Sequence, residues 1–417
     1  MNLVNMQRKH SSYLLAFFTS VALMSVGTAR DLRDVTEPKI PPSCTTLKAS
    51  GGDDTETIQK ALDSCTKGKA VALSPGVFHS GPLNIPSGVG LVVDTGVTLK
   101  AITDPALYDL GAKTCGTVDD VGVGCKAFIT MLRVTGSGLY GKGTIDGQGN
   151  VTLIGQKKSW WDLSEEALVA GTFQNVPRLI QINNSADITM YQLTLIDSPF
   201  YFVTSIETNG FTAWGLTIIA PASARNTDGI DPIGSQNVTI AHCNIRTGDD
   251  SVAIKAMTAP SRHISVLNSH FGHGNGMSIG SEVNYGASDV LVSGLTLNGS
   301  LKGAHIKSNT YRGGHVVNIT YNNVCIVDVK NPIYLEMDYV HLHGNRTPEF
   351  RNIAFNNIRV LSTGIFILQG LSDSNPVVVS FNDVHITKGS RWSRHFANVT
   401  GTWEEDASGH CGYAGNE

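Results

Sequence analysis

The stretch "VTIAHCNI", residues 238–245, sets Val238 and Ile240 two positions apart with polar Thr239 between them. Such alternation reads as a short strand with one face buried. One strand of this length decides nothing, but the pattern recurs: "ITMYQLTL" (188–195), "FTAWGLTI" (211–218), "ISVLNSHF" (264–271), "VLVSGLTL" (290–297), "ITYNNVCI" (319–326), "IAFNNIRV" (353–360) and "VSFNDVHI" (379–386). The starts are separated by 23, 27, 26, 26, 29, 34 and 26 residues. One supersecondary unit repeated at that period is the mark of a solenoid. The links are too compact for crossover helices between parallel strands. We therefore expect an all-β, single-domain right-handed parallel β-helix over residues 30–417.

The two ends read differently. "GDDTETIQKALDSC" (52–65) offers Asp and Thr as helix caps and places Ile58, Ala61 and Leu62 at helical spacing. A capping helix there would cover the open end of the solenoid, which otherwise exposes core and unpaired strand edges. "GTWEEDASGHCGYAGNE" (401–417) reads as an irregular tail.

Residues 1–29 read as a signal peptide: Arg8 and Lys9, then the apolar run Tyr13–Gly27, then small residues up to Ala29. The run is too short for a comfortable membrane span. A secreted, extracellular protein is expected, with no membrane partner. Seven cysteines lie downstream, and an oxidising compartment makes disulfides plausible. Cys44–Cys65 and Cys115–Cys125 are the expected pairs, and an odd count leaves at least one thiol unpaired. Seven Asn-X-Ser/Thr sequons, at Asn150, Asn183, Asn237, Asn298, Asn318, Asn345 and Asn398, are acceptors only in a glycosylating host, and an Asn-rich turn architecture also generates them. The formal charge of −4 points to no nucleic acid, and a leader lost with Arg8 and Lys9 makes the mature chain more acidic. No cysteine or histidine spacing suggests a metal, no cofactor is expected, and a monomer is expected.

Each coil also carries a second short strand, and five of these align: "DGIDPIG" from Asp228, "DSVAIKA" from Asp250, "NGMSIGS" from Asn275, "KGAHIKS" from Lys302 and "NPIYLEM" from Asn331. Equivalent positions of adjacent coils stack about 4.8 Å apart. Asp228 and Asp250 should then be neighbours on one face with Asp249 beside them. Turn capping, calcium binding or chance would each explain an isolated aspartate. Three in adjacent coils raise one another's pKa, and paired carboxylates in different protonation states are what glycoside hydrolysis requires.

The ordered set "NTDGID" (226–231), "GDD" (248–250), a GHG-like stretch before "SIGSE", and "HIK" (305–307) followed by "NPIYLEMDY" resembles the polygalacturonase family of pectin hydrolases, glycoside hydrolase family 28. The likeness runs from about Ala49 to Phe381. It implies a parallel β-helix that cleaves galacturonan-type pectic polysaccharide with inversion and without a metal. By motif, Asp249 would be the general acid, and Asp228 and Asp250 would position and deprotonate the attacking water. Asn226, Lys307 and Tyr339 would line the substrate cleft.

Two positions depart from that pattern. "FGHGNGMSIGSE" (271–282) holds two Gly-X-Gly triplets, centred on His273 and Asn275. Counting back from "SIGS" puts Asn275 at the family's histidine position, and the stacking register agrees. His273 would reach the site only through a bulged turn, so both stay candidates, His273 as a catalytic residue and Asn275 as a substrate-binding one. His305 stands where the family has an arginine of "RIK". A histidine lacks the bidentate fork that clamps a carboxylate. Arg312 lies near enough in sequence to compensate. The leading expectation is cleavage of α-1,4-galacturonosidic bonds, with Glu282 of "SIGSE" hinting at exo action. Alternatives are hydrolysis of rhamnogalacturonan or xylogalacturonan, a pectin-binding protein without turnover, and a calcium-dependent lyase.

Overall fold

The computed structural model describes residues 30–411. The leader expected at residues 1–29 lies outside the described residues. The repeat alignment is the strand register: Ile188 pairs with Phe211, and the column continues through Val238, Ile264, Val290, Ile319 and Ile353 to Val379, every pair parallel. All eight side chains are at most 1% exposed. One position earlier, Asp187, Gly210, Asn237, His263, Asp289, Asn318 and Asn352 all have positive φ. Seven of the eight coils bend there into the left-handed region, which Gly, Asn and Asp tolerate best. Turn geometry thus accounts for the asparagines of two sequons: the Asn237 amide donates to Asn209 at 2.8 Å and the Asn318 amide to Asp289 at 3.1 Å.

A second parallel sheet of eleven strands runs the length of the described solenoid, from Leu83–Asn84 to Arg391–His395. Its middle holds β1 (Ile230–Ile233), β2 (Val252–Ile254), β3 (Met277–Ile279), β4 (Lys302–Lys307) and β5 (Asn331–Glu336). Ile230, Val252, Met277, Ala304 and Ile333 pair in that order and point into the core. Burying residues of this size stabilises by about 1.5–3 kcal/mol for each large side chain. Their outward neighbours are left for chemistry.

Helix α1 (Thr55–Ser64) closes the first coil with Ile58 and Leu62 fully buried and Ala61 half-buried. Its first amide, on Thr55, donates to the Asp53 carboxylate at 2.9 Å. A second helix, α2 (Trp160–Ala170), has a capping box between Ser159 and Asp162 and buries Trp160 edge-on against Tyr108. The expected tail needs correcting. Ala397–Glu404 is a strand paired to Val377–Ile386, and Trp403 stacks on Trp392 at 4.1 Å between ring centres. Aromatic rings, in place of a helix, shield this end of the core.

Cys44–Cys65 and Cys115–Cys125 are disulfides as expected. Cys325–Cys411 is a third and ties the tail to a repeat strand, while Cys243 is a buried free thiol.

Candidate active site

Two residues ahead of the inward-facing column, the same register aligns Asp228, Asp250, Asn275, Lys302 and Asn331 on successive coils. Asp228 and Asp250 are 3% and 2% exposed, whereas Asp249 is partly open to solvent. Asp249 is therefore the carboxyl that a polymer lying in the cleft would meet first.

The buried carboxylates are held by lysines. Lys255 Nζ donates to Asp228 Oδ2 at 2.9 Å and to Asp231 Oδ2 at 2.7 Å. Lys307 Nζ donates to Asp250 Oδ2 at 2.8 Å, and the Ser278 hydroxyl donates to Asp250 Oδ1 at 2.6 Å. Asp228 Oδ1 and Asp231 Oδ1 have no protein partner. Burial pushes Asp228 well above the ordinary carboxylate range despite the pull of Lys255, and it raises Asp250 against Lys307. Asp231 is pushed up to about 6 by the same burial. Burial works against the charge on Lys255 and Lys307, but their carboxylate partners outweigh it and raise both.

The two Gly-X-Gly triplets separate cleanly. The Asn275 side-chain amide donates to Asp249 Oδ1 at 2.9 Å, and the Asp250 backbone amide donates to the same oxygen at 3.0 Å. His273 instead hydrogen-bonds the backbone carbonyl of Ala220 through Nε2 at 2.8 Å. A Cβ on Gly274 would sit 2.4 Å from the Asp249 carbonyl oxygen, and one on Gly276 would sit 2.3 Å from that of Lys302. Both glycines have positive φ. A Cβ on Gly272 would meet only the flexible Arg246 side chain. Gly274-Asn275-Gly276 is thus the triplet that lets the chain pass beneath Asp249, and the expectation of a catalytic His273 is corrected: its ring is tied to the Ala220 turn. Asn275, expected against substrate, bonds Asp249.

The expected substrate clamp is also rearranged. His305 is fully buried, with Nε2 3.2 Å from Glu336 Oε1 and Nδ1 3.5 Å from the Ser278 hydroxyl. Burial, together with Lys307 and Lys302 nearby, holds its pKa well below the usual value, so it stays uncharged at neutral pH. A residue with no exposed surface cannot touch a polymer, which removes His305 from the binding set. Arg312 does not replace it, because Arg312 pairs with Glu282 at 2.8 Å. Glu282, engaged in that pair, is drawn below its ordinary pKa by Lys255, Arg312 and Lys307 although burial opposes this. Asn226 has positive φ and accepts from Gln174 at 3.0 Å, joining the turn before Asp228 to the cleft wall. Tyr339 is half-buried, with Lys307 Nζ 5.4 Å and Lys302 Nζ 5.9 Å from its ring centre.

Four members of this network were passed over in the sequence: Asp231, Lys255, Ser278 and Glu336. "DGID" and "VAIK" contain the first two in plain view, and the isolated pairing of Ile233 with Lys255 shows why alignment alone missed them. Lys255 reaches back across a coil to the carboxylates of the preceding one. Among the described residues, one set of potential metal-binding atoms gathers within 4.8 Å, on His385, Glu404 and Asp406 near the C-terminal end. His385 there is bonded by carboxylates at both ring nitrogens, with Asp406 and Asp383, which raise its pKa and suit an imidazolium.

Comparison with known proteins agrees with this geometry. The family model described as glycosyl hydrolases family 28 matches residues 65–410. An endo-polygalacturonase of Pectobacterium parmentieri is 47% identical over 376 residues, covering 89% of this chain and 93% of that protein. An endo-polygalacturonase of Pectobacterium carotovorum subsp. carotovorum is 47% identical over 392 residues, covering 93% and 96%. The solved structure of a polygalacturonase from Erwinia carotovora ssp. carotovora superposes with a TM-score of 0.85 at 46% identity, covering 89% of this chain and all of that one.

Proposed function

The chain belongs to glycosyl hydrolases family 28, and we propose that this pectin-degrading hydrolase is secreted and cleaves α-1,4-galacturonosidic bonds within the polymer, with inversion. The observation that carries the reading is the stacked group of Asp228, Asp249 and Asp250, two of them buried on lysines and one open to the cleft. Endo action is supported by the names of the two Pectobacterium relatives. Secretion is supported by the leader pattern and by three disulfides, which persist in oxidising compartments.

In the proposed reaction Asp249 gives its proton to the glycosidic oxygen as the bond from that oxygen to the anomeric carbon breaks. A water held by Asp228 and Asp250 bonds to the anomeric carbon from the opposite face, and its proton passes to one of those carboxylates. Room for this water, with carboxyl groups roughly 6.5–9.5 Å apart, is what separates inversion from retention. Raised pKa values at Asp228 and Asp250 suit bases that must take up a proton. Asn275 fixes one oxygen of Asp249 and, as an amide, cannot itself give or take a proton.

The test is reducing-end release from polygalacturonate by the mature protein in the presence of EDTA, with Asp249→Asn as control. Wild-type release, lowered about a thousandfold by the substitution, is expected. Binding without release would give the pectin-binding reading instead, and release only from rhamnogalacturonan or xylogalacturonan would move the substrate.

A further inference from the structure

The cation that the resemblance leads one to expect at position 305 is missing, and a different one stands in the column of the acids. Lys302 opens β4, one coil beyond Asn275 and two beyond Asp250, roughly 10 Å from Asp250 at the spacing of stacked strands. The basic side chains around it are already engaged. Lys255 lies on Asp228 and Asp231, Lys307 on Asp250, and Arg312 on Glu282. Lys302 has no carboxylate within salt-bridge distance among the described residues. Its ammonium lies 5.3 Å from the Tyr334 ring centre and 5.9 Å from that of Tyr339, with Lys307 against the Tyr339 ring as well.

We propose that Lys302 binds a uronate carboxylate of the substrate, supplying from the column of the acids the positive charge that His305 no longer carries. This rests on the galacturonan reading above. Tyr334 and Tyr339 frame the ammonium and offer ring faces to the apolar side of a sugar, while Lys307 adds a second positive charge to the same recess. A half-buried ammonium without an anion in contact is an unfinished ion pair. Burial and the Lys307 charge push Lys302 below the usual lysine value against the pull of Glu336, Asp250 and Asp249, and a carboxylate in direct contact would offset that penalty. His305 cannot share the task, because it is buried, neutral and engaged with Glu336.

The experiment is steady-state kinetics of Lys302→Met and Lys302→Arg on polygalacturonate and on highly methyl-esterified pectin, with the unfolding midpoint of each protein measured alongside. Lys302→Met should raise KM for polygalacturonate about tenfold or more, the worth of one charge-assisted contact. It should leave kcat within about threefold and the unfolding midpoint unmoved, and it should erase most of the preference for the free acid over the ester. Lys302→Arg should recover most of the loss. An active wild type whose KM and ester discrimination are unchanged by Lys302→Met would overturn this inference alone. So would a fall in kcat that tracks a lowered unfolding midpoint while KM stays put. A wild type inactive on polygalacturonate would overturn the galacturonan reading and this inference together.

Discussion

The coils bearing Asp228 and Asp250 and the coils bearing Asn275 and Lys302 are adjacent in one sheet, yet they treat charge in opposite ways. In the first pair each buried carboxylate has its lysine: Lys255 on Asp228 and Asp231, and Lys307, reaching in from β4, on Asp250. The side chain of Lys255 is 6% exposed and lies across Asp228 and Asp231. In the second pair Asn275 and His305 stand where the family pattern leads one to expect a histidine and an arginine, and Lys302 has no carboxylate within salt-bridge distance among the described residues. The difference tracks the physics of each task. In the proposed reaction the carboxyls transfer protons, which needs fixed distances in a shielded setting, so their counterions are part of the fold. Holding a substrate carboxylate needs only a positive charge within reach, which neighbouring coils can supply from more than one register position.

The sharpest way to break this contrast is to make the same change in both halves. Lys255→Met leaves two buried carboxylates without their ammonium. We expect about 3–5 kcal/mol of lost stability, read as a lower midpoint in denaturant, together with loss of most activity. Lys302→Met removes the same charge from a site where it makes no salt bridge among the described residues and only longer-range carboxylate charges act on it, and its unfolding midpoint should stay close to wild type. Equal destabilisation of the two variants would erase the distinction between structural and substrate-facing lysines.

A smaller effect sharpens the acid half. Burial raises Asp231 to about 6 from 3.8, and it also raises Asp228 and Asp250. A carboxyl whose folded pKa exceeds its unfolded one binds protons more tightly in the native state. Its stabilising contribution is present below about pH 4 and is lost as pH rises through about 6. Stability should therefore fall over that window, by up to about 3 kcal/mol for Asp231 at roughly 1.4 kcal/mol per pH unit. Asp231→Asn should flatten the fall. It also removes a charge that raises Asp228 and frees Lys255 for it alone, so the acidic limb of the kcat/KM profile should move to lower pH. A limb that stays in place would detach Asp228 from the water-activating role.

Much of this was legible in the chain. Ile188 to Val379 could be aligned by eye because a buried column has a fixed period and strict apolarity. Asp228, Asp250 and Asn275 followed from the same register. What stayed hidden depends on side-chain reach. Lys255 bonds the carboxylates of the preceding coil, and whether His305 lies at the cleft surface or beneath it is set by the bulk of Tyr334 and Tyr339 around it. The strand at Ala397–Glu404 was hidden in a charged, Gly-bearing stretch whose pairing comes from the preceding coil and whose Trp403 finds its partner, Trp392, only in three dimensions.

The smallest effect tests whether the two halves of the substrate recess are exchangeable. His305→Arg would place a guanidinium beside Glu336, whose pKa is raised by burial and which now meets only a neutral ring at that side. An arginine fork is long enough to pair with Glu336 and still extend toward the recess lined by Tyr334 and Tyr339. With Lys302 present, the substitution should change KM for polygalacturonate by less than about twofold, because the carboxylate already has its cation. In the Lys302→Met background the same substitution should lower KM by about threefold or more. That inequality is a coupling between two residues serving one anion, and a double-mutant cycle isolates it from any shared effect on folding. Additive changes would mean that positions 302 and 305 serve different parts of the polymer, and that the charge lost at His305 was not regained three residues earlier on the same strand but given up.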